Sequence, residues 1–436
     1  MDFGLVETSI LSLDLHSAHA TTATSTVHLD AVKQMLQRFC ILLLLVCVTL
    51  PTVVNALNHG KAGYSRHHVR CRSASQLHAS TPSFKPILSK LIRSEDLTAA
   101  ETEAVWDDIL VEGRVDPAVV GAVLTLLRAK GETPKEVAGM VRSMRKACKP
   151  VTVEGQLLDI VGTGGDGADT INISTASVVL AAACGCKVAK AGNRSVSSRC
   201  GSADVLETLG VKIELSPQQV AQSIESCGIG FMFAPMNHPA MKTVAPIRKQ
   251  LGVRTAFNLL GPMTNAAGAQ HVVIGVFEES LVDLMASTLM EVGFVEHGVV
   301  IHGVGLDEIS PLGASSVNEI KKVRDPSTGA VTYVSNKYMF DPLSVGVPRC
   351  KIGDLKGGDA EENAEEFKTV LNGGEFTNAK RDSIILNAGF GVYVYGLADS
   401  IEGGIDLARK TLYSGRAKEQ LDRWIKVTQQ LSQPSF

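Results

Sequence analysis

Short apolar segments alternate with helical ones from Gln156 onward, and this alternation limits the fold more than any other feature of the chain. The apolar segments that read as buried strands are 157–161, 187–190, 229–234, 271–277 and 297–303. Helical segments separate them, including 174–183 and 281–292. Strands alternating with helices predict an α/β domain with a mainly parallel central sheet covered on both faces. In such sheets, ligands bind at the carboxyl ends of the strands.

The preceding segment, residues 83–150, carries three helix-start signals. Thr98 and Glu101 have the spacing of a capping box. The pairs Asp116-Pro117 and Thr133-Pro134 each place a capping side chain before a proline at the first helical position. The sequence therefore predicts a small domain of three short helices, followed by the larger α/β domain over residues 151–436.

A glycine loop, residues 162–167, follows the first predicted strand directly and reads Gly-Thr-Gly-Gly-Asp-Gly. Glycines let the backbone approach a ligand closely, and successive N–H groups can surround a phosphate. The same residues fit the G-x-G-x-x-G pattern of dinucleotide-binding folds, and a plain structural turn is a further alternative. A dinucleotide fold needs an acidic residue about 20 positions later, whereas the next predicted strand ends in Lys190. The loop is also no Walker A motif, because no Gly-Lys-Ser/Thr follows the glycines.

A second loop of small residues, 191–198, follows Lys190 and reads Ala-Gly-Asn-Arg-Ser-Val-Ser-Ser. Its hydroxyls, amide and cation could bind phosphate oxygens, although a solvated surface turn has the same composition. Because both loops follow consecutive strands, we expect them at the same edge of the sheet. Together they predict a site for a polyanion.

At this point the sequence resembles the anthranilate phosphoribosyltransferase family over residues 84–430. The matching motifs are Gly162-Thr163-Gly164-Gly165-Asp166, Asn172-Ile173-Ser174-Thr175, Lys190-x-Gly192-Asn193-Arg194-x-x-Ser197-Ser198, Gly201-Ser202-Ala203-Asp204-Val205-Leu206-Glu207, Phe233-Ala234-Pro235 with His238-Pro239-Ala240-Met241, and Arg254-Thr255-x-Phe257-Asn258-x-Leu260-Gly261-Pro262. The resemblance implies a nucleoside phosphorylase or phosphoribosyltransferase-like fold in which residues 238–253 pack on the helical domain. It also implies transfer of the phosphoribosyl group of phosphoribosyl pyrophosphate to anthranilate, in tryptophan biosynthesis, by a homodimer.

The resemblance also assigns residues to each ligand. Phosphoribosyl pyrophosphate would be bound by Gly162, Thr163, Gly164, Gly165, Asp166, Thr170, Asn172, Ser174, Thr175, Lys190, Asn193 and Ser198. Anthranilate would be bound by Gly162, Asn193 and Arg248, and the bidentate guanidinium of Arg248 suits its carboxylate. One departure is Ala191, where the family often has histidine, and this removes one contact near anthranilate.

Asp307 and Glu308 are adjacent carboxylates that follow the last predicted strand. Hard oxygen ligands beside a phosphate site suit Mg²⁺, although a bare acidic pair is equally typical of a solvated turn. The family carries such a pair for magnesium, and Ser174 matches its hydroxyl ligand. His238 precedes Pro239, and we expect a capping or packing role for it and no catalytic one.

The first 82 residues have the composition of a leader and are excluded from the fold. An apolar run, 39–50, follows Lys33 and Arg38 and precedes small residues at a cleavage position, so residues 1–56 resemble a signal peptide, with Met35 as an alternative start. Residues 57–82 contain no Asp or Glu and four Lys or Arg, a composition typical of a transit peptide or a disordered linker. A two-part leader predicts entry into a plastid through the secretory route, with another secretory compartment or the cytoplasm as alternatives.

Bulk composition excludes some other classes. The net charge of −3 gives no basic surplus for a nucleic-acid partner. The apolar run is too short to span a bilayer as a helix, so we expect no membrane span in the mature protein. The nine cysteines contain no C-x-x-C pair and are expected to be reduced and packed. A pyrimidine-nucleoside phosphorylase and a nucleic-acid-binding relative remain the alternatives.

Overall fold

The computed structural model describes residues 83–195, 198–373 and 378–433. The predicted leader lies outside these residues, as do Val196 and Ser197 of the second loop. Within the described part of the chain, no helix is long and apolar enough to cross a membrane.

The N-terminal described segment forms four helices, one more than the sequence predicts. They are α1 (Lys85–Ile92), α2 (Ala99–Ile109), α3 (Pro117–Lys130) and α4 (Pro134–Ala147). The three predicted starts are confirmed, because Thr98, Asp116 and Thr133 each accept a backbone hydrogen bond at the start of a helix. Helix α1 follows Phe84, whose side chain makes no capping bond. It therefore lacks the signal that identifies the other three.

The rest of the described chain builds a seven-stranded sheet with helices between its strands. The strands are β1 (Leu158–Gly162), β2 (Val188–Gly192), β3 (Ile229–Phe233), β4 (His271–Gly275), β5 (His297–His302), β6 (Ser315–Arg324) and β7 (Val331–Phe340), in the spatial order β3-β2-β1-β4-β5-β6-β7. The first five are mutually parallel, and β6 and β7 are antiparallel to their neighbours. The predicted fold class, a helical domain with a larger and mainly parallel α/β domain, is confirmed.

The helices of this part cover both faces of the sheet. They are α5 (Ile173–Cys184), α6 (Ser202–Leu209), α7 (Pro217–Cys227), α8 (Ala234–Asn237), α9 (Met241–Leu251), α10 (Phe257–Leu260), α11 (Leu281–Val292), α12 (Ala360–Leu371), α13 (Ala379–Tyr395), α14 (Ile401–Tyr413) and α15 (Arg416–Leu431). Short 3₁₀ turns occupy Gly261–Met263, Pro342–Val345 and Ile352–Leu355. Leu158 and Ile160 of β1 enter one apolar cluster, whereas Leu157 and Val161 enter the other. This division follows from the two-residue period of a strand.

Strands β6 and β7 were not predicted. Most of β7 is exposed, and the buried positions of β6 all lie among its first six residues, without strict alternation. An antiparallel pair at the rim of a sheet needs no continuous apolar run, so it lacks the signal that identifies the buried parallel strands.

Helix α9 lies between α/β elements in sequence but contacts α3 of the helical segment. Ile247 of α9 packs against the same apolar cluster as the N-terminal helices. His238 does not begin α9, since it follows the short helix α8 and donates its backbone N–H to the carbonyl of Ala234. Burial lowers the pKa of its imidazole.

Candidate active site

The carboxyl ends of β1, β4 and β5 meet at one edge of the sheet, and the glycine loop begins there. The backbone N–H of Thr163 donates to the carbonyl of Gly275 over 3.0 Å. The Thr163 hydroxyl accepts the N–H of Phe277 over 3.2 Å. These bonds carry the register of β1 and β4 past their ends and fix where the loop leaves the sheet.

The acidic pair lies directly against this loop. The N–H of Gly164 donates to Oδ2 of Asp307 over 2.6 Å, and the N–H of Ser174, in the first turn of α5, donates to Oε1 of Glu308 over 2.9 Å. A Cβ atom at Gly162 would overlap the Asp307 carboxylate, and one at Gly275 would overlap the Asp307 backbone. Glycine at these strand ends is therefore required for the carboxylates to approach.

Both carboxylates are held in an environment that disfavours their charge. Burial and, to a smaller extent, the charge of the nearby Asp166 raise the pKa of Asp307 to about 7. Burial and the neighbouring Asp307 raise the pKa of Glu308 well above its usual range. Oε2 of Glu308 is buried and has no hydrogen-bond partner among the described residues. An unpartnered hard oxygen among clustered carboxylates fits a divalent cation such as Mg²⁺.

Lys190 approaches these acids from within the sheet. Its side chain is only 1% exposed, and its Nζ donates to the carbonyl of Ile160 over 2.8 Å. Burial lowers its pKa, while the charges of Asp159, Glu308 and Asp307 oppose that change. Lys190 therefore compensates buried carboxylates at the base of the site.

Asp159 is the second buried charge beneath the loops. Its Oδ2 accepts a hydrogen bond of 2.7 Å from Nδ2 of Asn265, and its Oδ1 accepts one from the N–H of Ala191. Burial raises its pKa to about 6, against the influence of Lys190. Asn265 was not predicted as a site residue, because it lies 106 residues from Asp159 in the chain.

A segment distant in sequence contacts the residues that directly follow the glycine loop. Nζ of Lys356 donates to the carbonyl of Ala168 over 2.6 Å, the N–H of Ile171 donates to Leu355, and Thr170 forms an isolated antiparallel bridge with Lys356. Within the loop, Oδ1 of Asp166 accepts from the N–H of Ala168. These contacts were not predicted, because no motif in the sequence around Lys356 indicates that it contacts this part of the chain.

Asn172, which precedes α5, connects the chain after the glycine loop to the chain after the second loop. Its Nδ2 donates to the carbonyl of Cys200 over 3.1 Å, and its Oδ1 accepts from Nδ2 of Asn363 over 3.1 Å. Thr175, one turn into α5, is fully buried, and its hydroxyl has no hydrogen-bond partner among the described residues. The sequence predicts both residues as ligands of the phosphate substrate, and the structure places both at the start of α5.

The second loop folds around an acid of its own. Asp204 accepts the N–H groups of Ser195 and Gly201 through Oδ2. Arg194 forms ion pairs with Asp204 and Glu207, so its charge is already engaged by protein carboxylates. Two further polar side chains of this loop are described. Oδ1 of Asn193 accepts the N–H of Arg194, and the Ser198 hydroxyl lies 3.0 Å from the Ser195 hydroxyl.

Arg248 lies apart from the phosphate loops, on α9. Its guanidinium carbon is 5.2 Å from the ring centroid of Phe257, and Trp106 of α2 packs edge-on against the same ring at 5.0 Å. Burial lowers the pKa of Arg248, and no charged group of the described residues offsets this effect. A partly buried cation that lacks a carboxylate partner in the described chain is suited to an anionic ligand.

Comparison with known proteins places this arrangement in a family. Residues 85–148 match the glycosyl transferase family helical bundle domain, and residues 154–418 match the glycosyl transferase family a/b domain. The anthranilate phosphoribosyltransferase of Methanosarcina acetivorans is 45% identical over 351 residues, which cover 80% of this chain and 90% of that protein. That of Alkaliphilus metalliredigens is 45% identical and covered over 98% of its length.

Two solved structures have the same fold. The anthranilate phosphoribosyltransferase of Thermus thermophilus superposes with a TM-score of 0.72 at 43% identity, covering 78% of this chain and 99% of the other. That of Saccharomyces cerevisiae, in complex with phosphoribosyl pyrophosphate and Mg, superposes with a TM-score of 0.71 at 24% identity, covering 81% and 99%. With both domains matched and relatives above 40% identity aligned over nearly their whole length, this chain belongs to the anthranilate phosphoribosyltransferase family.

Proposed function

We propose that this protein transfers the 5-phosphoribosyl group of phosphoribosyl pyrophosphate to anthranilate, giving N-(5-phosphoribosyl)anthranilate and pyrophosphate, a step of tryptophan biosynthesis. The observation that carries the proposal is the acidic pair Asp307 and Glu308 on the glycine loop and the start of α5. The membership of the family supports the identity of both substrates.

A bound Mg²⁺ would be held by Asp307, Glu308 and the hydroxyl of Ser174, and it would neutralise charge on the pyrophosphate leaving group. The raised pKa values of the two acids and the unpartnered Oε2 of Glu308 support a cation there. The glycine-loop N–H groups that are not bonded to Gly275 or Asp307, together with the hydroxyls of Thr163 and Ser198, would bind the substrate's phosphate oxygens.

Anthranilate would bind with its carboxylate on Arg248 and its ring toward Gly162 and Asn193. In the reaction, the bond from the anomeric carbon to the pyrophosphate oxygen breaks, and the amine nitrogen forms a bond to that carbon. The bonding electrons leave with pyrophosphate, and the nitrogen then releases a proton to solvent. An aromatic amine has a free lone pair at neutral pH, so the protein's task is positioning and charge stabilisation.

The test is an assay of the purified chain with phosphoribosyl pyrophosphate, anthranilate and Mg²⁺, with thymidine phosphorolysis and duplex DNA binding measured in parallel. We expect magnesium-dependent formation of phosphoribosylanthranilate alone. Thymidine cleavage without anthranilate turnover would instead indicate a nucleoside phosphorylase, and DNA binding alone would indicate a non-enzymatic relative.

We also propose that residues 1–82 act as a two-part leader to a plastid and that the mature chain is a homodimer. The apolar run followed by an acid-free segment supports the first proposal, and the family resemblance supports the second. A fluorescent fusion of residues 1–82 tests the destination, and deletion of the same residues should leave activity unchanged. Light scattering tests the dimer, for which a monomer mass is the contrary result.

A further inference from the structure

The acidic pair is presented by a very tight turn that follows β5. Gly303 and Leu306 exchange two backbone hydrogen bonds, of 3.0 and 3.1 Å, across Val304 and Gly305. Both central residues have positive φ, 50° at Val304 and 82° at Gly305. Two positive φ angles in succession define a type I′ turn.

Valine is a poor residue for this turn. A β-branched side chain at positive φ is a genuine outlier, and this conformation is energetically unfavourable. The Val304 side chain is half-exposed, and the space beside it is kept open by Gly313, where a Cβ would overlap it. The surroundings must therefore enforce the turn.

His302, the last residue of β5, makes the contact that does so. Its Nε2 lies 3.2 Å from the backbone N–H of Gly305 and must accept that hydrogen bond. Its Nδ1 lies 2.9 Å from the carbonyl of Val276 and must therefore carry the proton and donate. A single neutral tautomer satisfies both contacts, so the imidazole joins the turn to the residue that follows β4.

The other end of the same segment is also fixed. Asn387 of α13 is buried, and its side chain accepts from the N–H of Ile309 over 3.1 Å and donates to the carbonyl of Ile309 over 2.7 Å. Asp307 and Glu308 therefore lie between two anchors, His302 before them and Asn387 after them.

We propose that His302 is a positioning residue that holds the strained turn in the register that delivers both carboxylates to the glycine loop. The proposal rests on the proposed function, since the carboxylates matter as ligands of the cation on the pyrophosphate. Loss of the bond to Gly305 would let Val304 relax toward negative φ. That change would move Asp307 and Glu308 relative to Gly164 and Ser174.

The experiment compares His302→Asn with His302→Gln in the full enzyme. Asparagine keeps a donor near the Nδ1 position but does not reach Gly305, whereas glutamine places an acceptor near the Nε2 position. The readout is Mn²⁺ binding in the presence of pyrophosphate. The electron paramagnetic resonance signal of free Mn²⁺ measures this binding. Outer partners of metal ligands typically contribute about tenfold to hundredfold in affinity. We expect H302N to weaken Mn²⁺ binding at least about tenfold and H302Q to recover part of it.

The matched control is His297→Asn, the same substitution at the first residue of the same strand. His297 bonds to Glu319 at the opposite end of β5, so its replacement should lower stability without affecting Mn²⁺ binding. In addition, Val304→Asn should raise the melting temperature of the metal-free protein, because asparagine tolerates positive φ, and should leave Mn²⁺ binding unchanged.

Equal Mn²⁺ binding by H302N and the parent enzyme would overturn the proposal, as would equal losses in H302N and H297N. If H302N does not fold, His302→Ala, which also lacks the acceptor for Gly305, takes its place, and a loss in this variant no greater than in H297N would have the same meaning. If the parent enzyme binds no Mn²⁺ with pyrophosphate, the proposed function fails instead.

Discussion

The guanidinium of Arg254 lies between the ring of Phe277 and the carbonyl oxygen of Gly165. Its carbon is 3.9 Å from the ring centroid, and its Nη2 donates a hydrogen bond to the carbonyl. Arg254 follows α9, which contacts the helical segment, so this residue links that side of the molecule to the glycine loop. Lys356 holds the loop from the other side through Ala168. The loop is therefore shaped by two cations that come from distant parts of the chain.

Replacing Arg254 should weaken use of the phosphate substrate. We expect Arg254→Gln to raise the KM for phosphoribosyl pyrophosphate roughly tenfold, because a charge-assisted bond of about 1.5 kcal/mol to Gly165 is lost. Arg254→Lys should give a smaller increase, because lysine keeps the charge without the planar fork. Steady-state kinetics with each substrate varied in turn measure both effects. An increase confined to the KM for anthranilate would contradict this role.

Removing the charges of the acidic pair should abolish turnover while the protein stays folded. The double variant Asp307→Asn with Glu308→Gln loses both proposed ligands, yet it also removes repulsion between acids whose pKa values are already raised. We therefore expect the melting temperature of the metal-free protein to stay equal or rise. Calorimetry and an assay at limiting magnesium give the two readouts. Near-normal activity at limiting magnesium would exclude these residues as ligands.

Arg248→Ala should mainly impair anthranilate use. Loss of a charge-assisted pair worth roughly 2 kcal/mol corresponds to an increase of about thirtyfold in the KM for anthranilate. The control is Lys249→Ala, the neighbouring exposed cation on the same helix, which should leave both KM values unchanged. A rise only in the KM for phosphoribosyl pyrophosphate would show that the substrates are divided differently.

Lys190→Met should cost stability and impair phosphoribosyl pyrophosphate use together. The substitution keeps a long buried side chain but leaves Asp159 without its compensating charge, for which about 3–5 kcal/mol is typical. Denaturant unfolding measures the loss, and kinetics measure the change in KM. If stability were unchanged, Lys190 could not be compensating the buried acids.

The free energy of unfolding should depend on pH through Asp159. Its pKa rises from 3.8 unfolded to about 6 in the fold, so the folded protein binds more protons between these values. Stability from this group is therefore fully present below pH 4 and is lost as pH rises toward 6, by about 3 kcal/mol. Asp159→Asn cannot titrate at this position. Its free energy of unfolding should therefore rise relative to that of the parent protein as pH increases from 4 to 6. A difference between them that is independent of pH would refute the raised pKa.

The sequence by itself determined the local structure and the chemistry of the site. Capping side chains such as Thr98 and Thr133 act within one turn of a helix, and buried parallel strands need continuous apolar runs, so both can be read from neighbouring residues. Gly162 is the last residue of β1, the pair Asp307 and Glu308 follows β5 after one tight turn, and parallel strands bring their carboxyl ends together. The fold class and the place of the site follow from these features.

Only the tertiary structure decided which groups are free to act. Arg194 of the second loop and Lys190 of β2 are both cations near the proposed phosphate site. Arg194 is paired with acids on α6, whereas Lys190 is buried and bonded to the carbonyl of Ile160. Asn265 and Lys356, which support the site, bond to Asp159 and Ala168 across more than 100 residues of sequence. A hydrogen bond depends on distance in space. Two residues that are far apart in the chain can form one without any pattern in the sequence around either of them. The sequence therefore predicts which residues form the site, whereas the tertiary structure determines which residues position them.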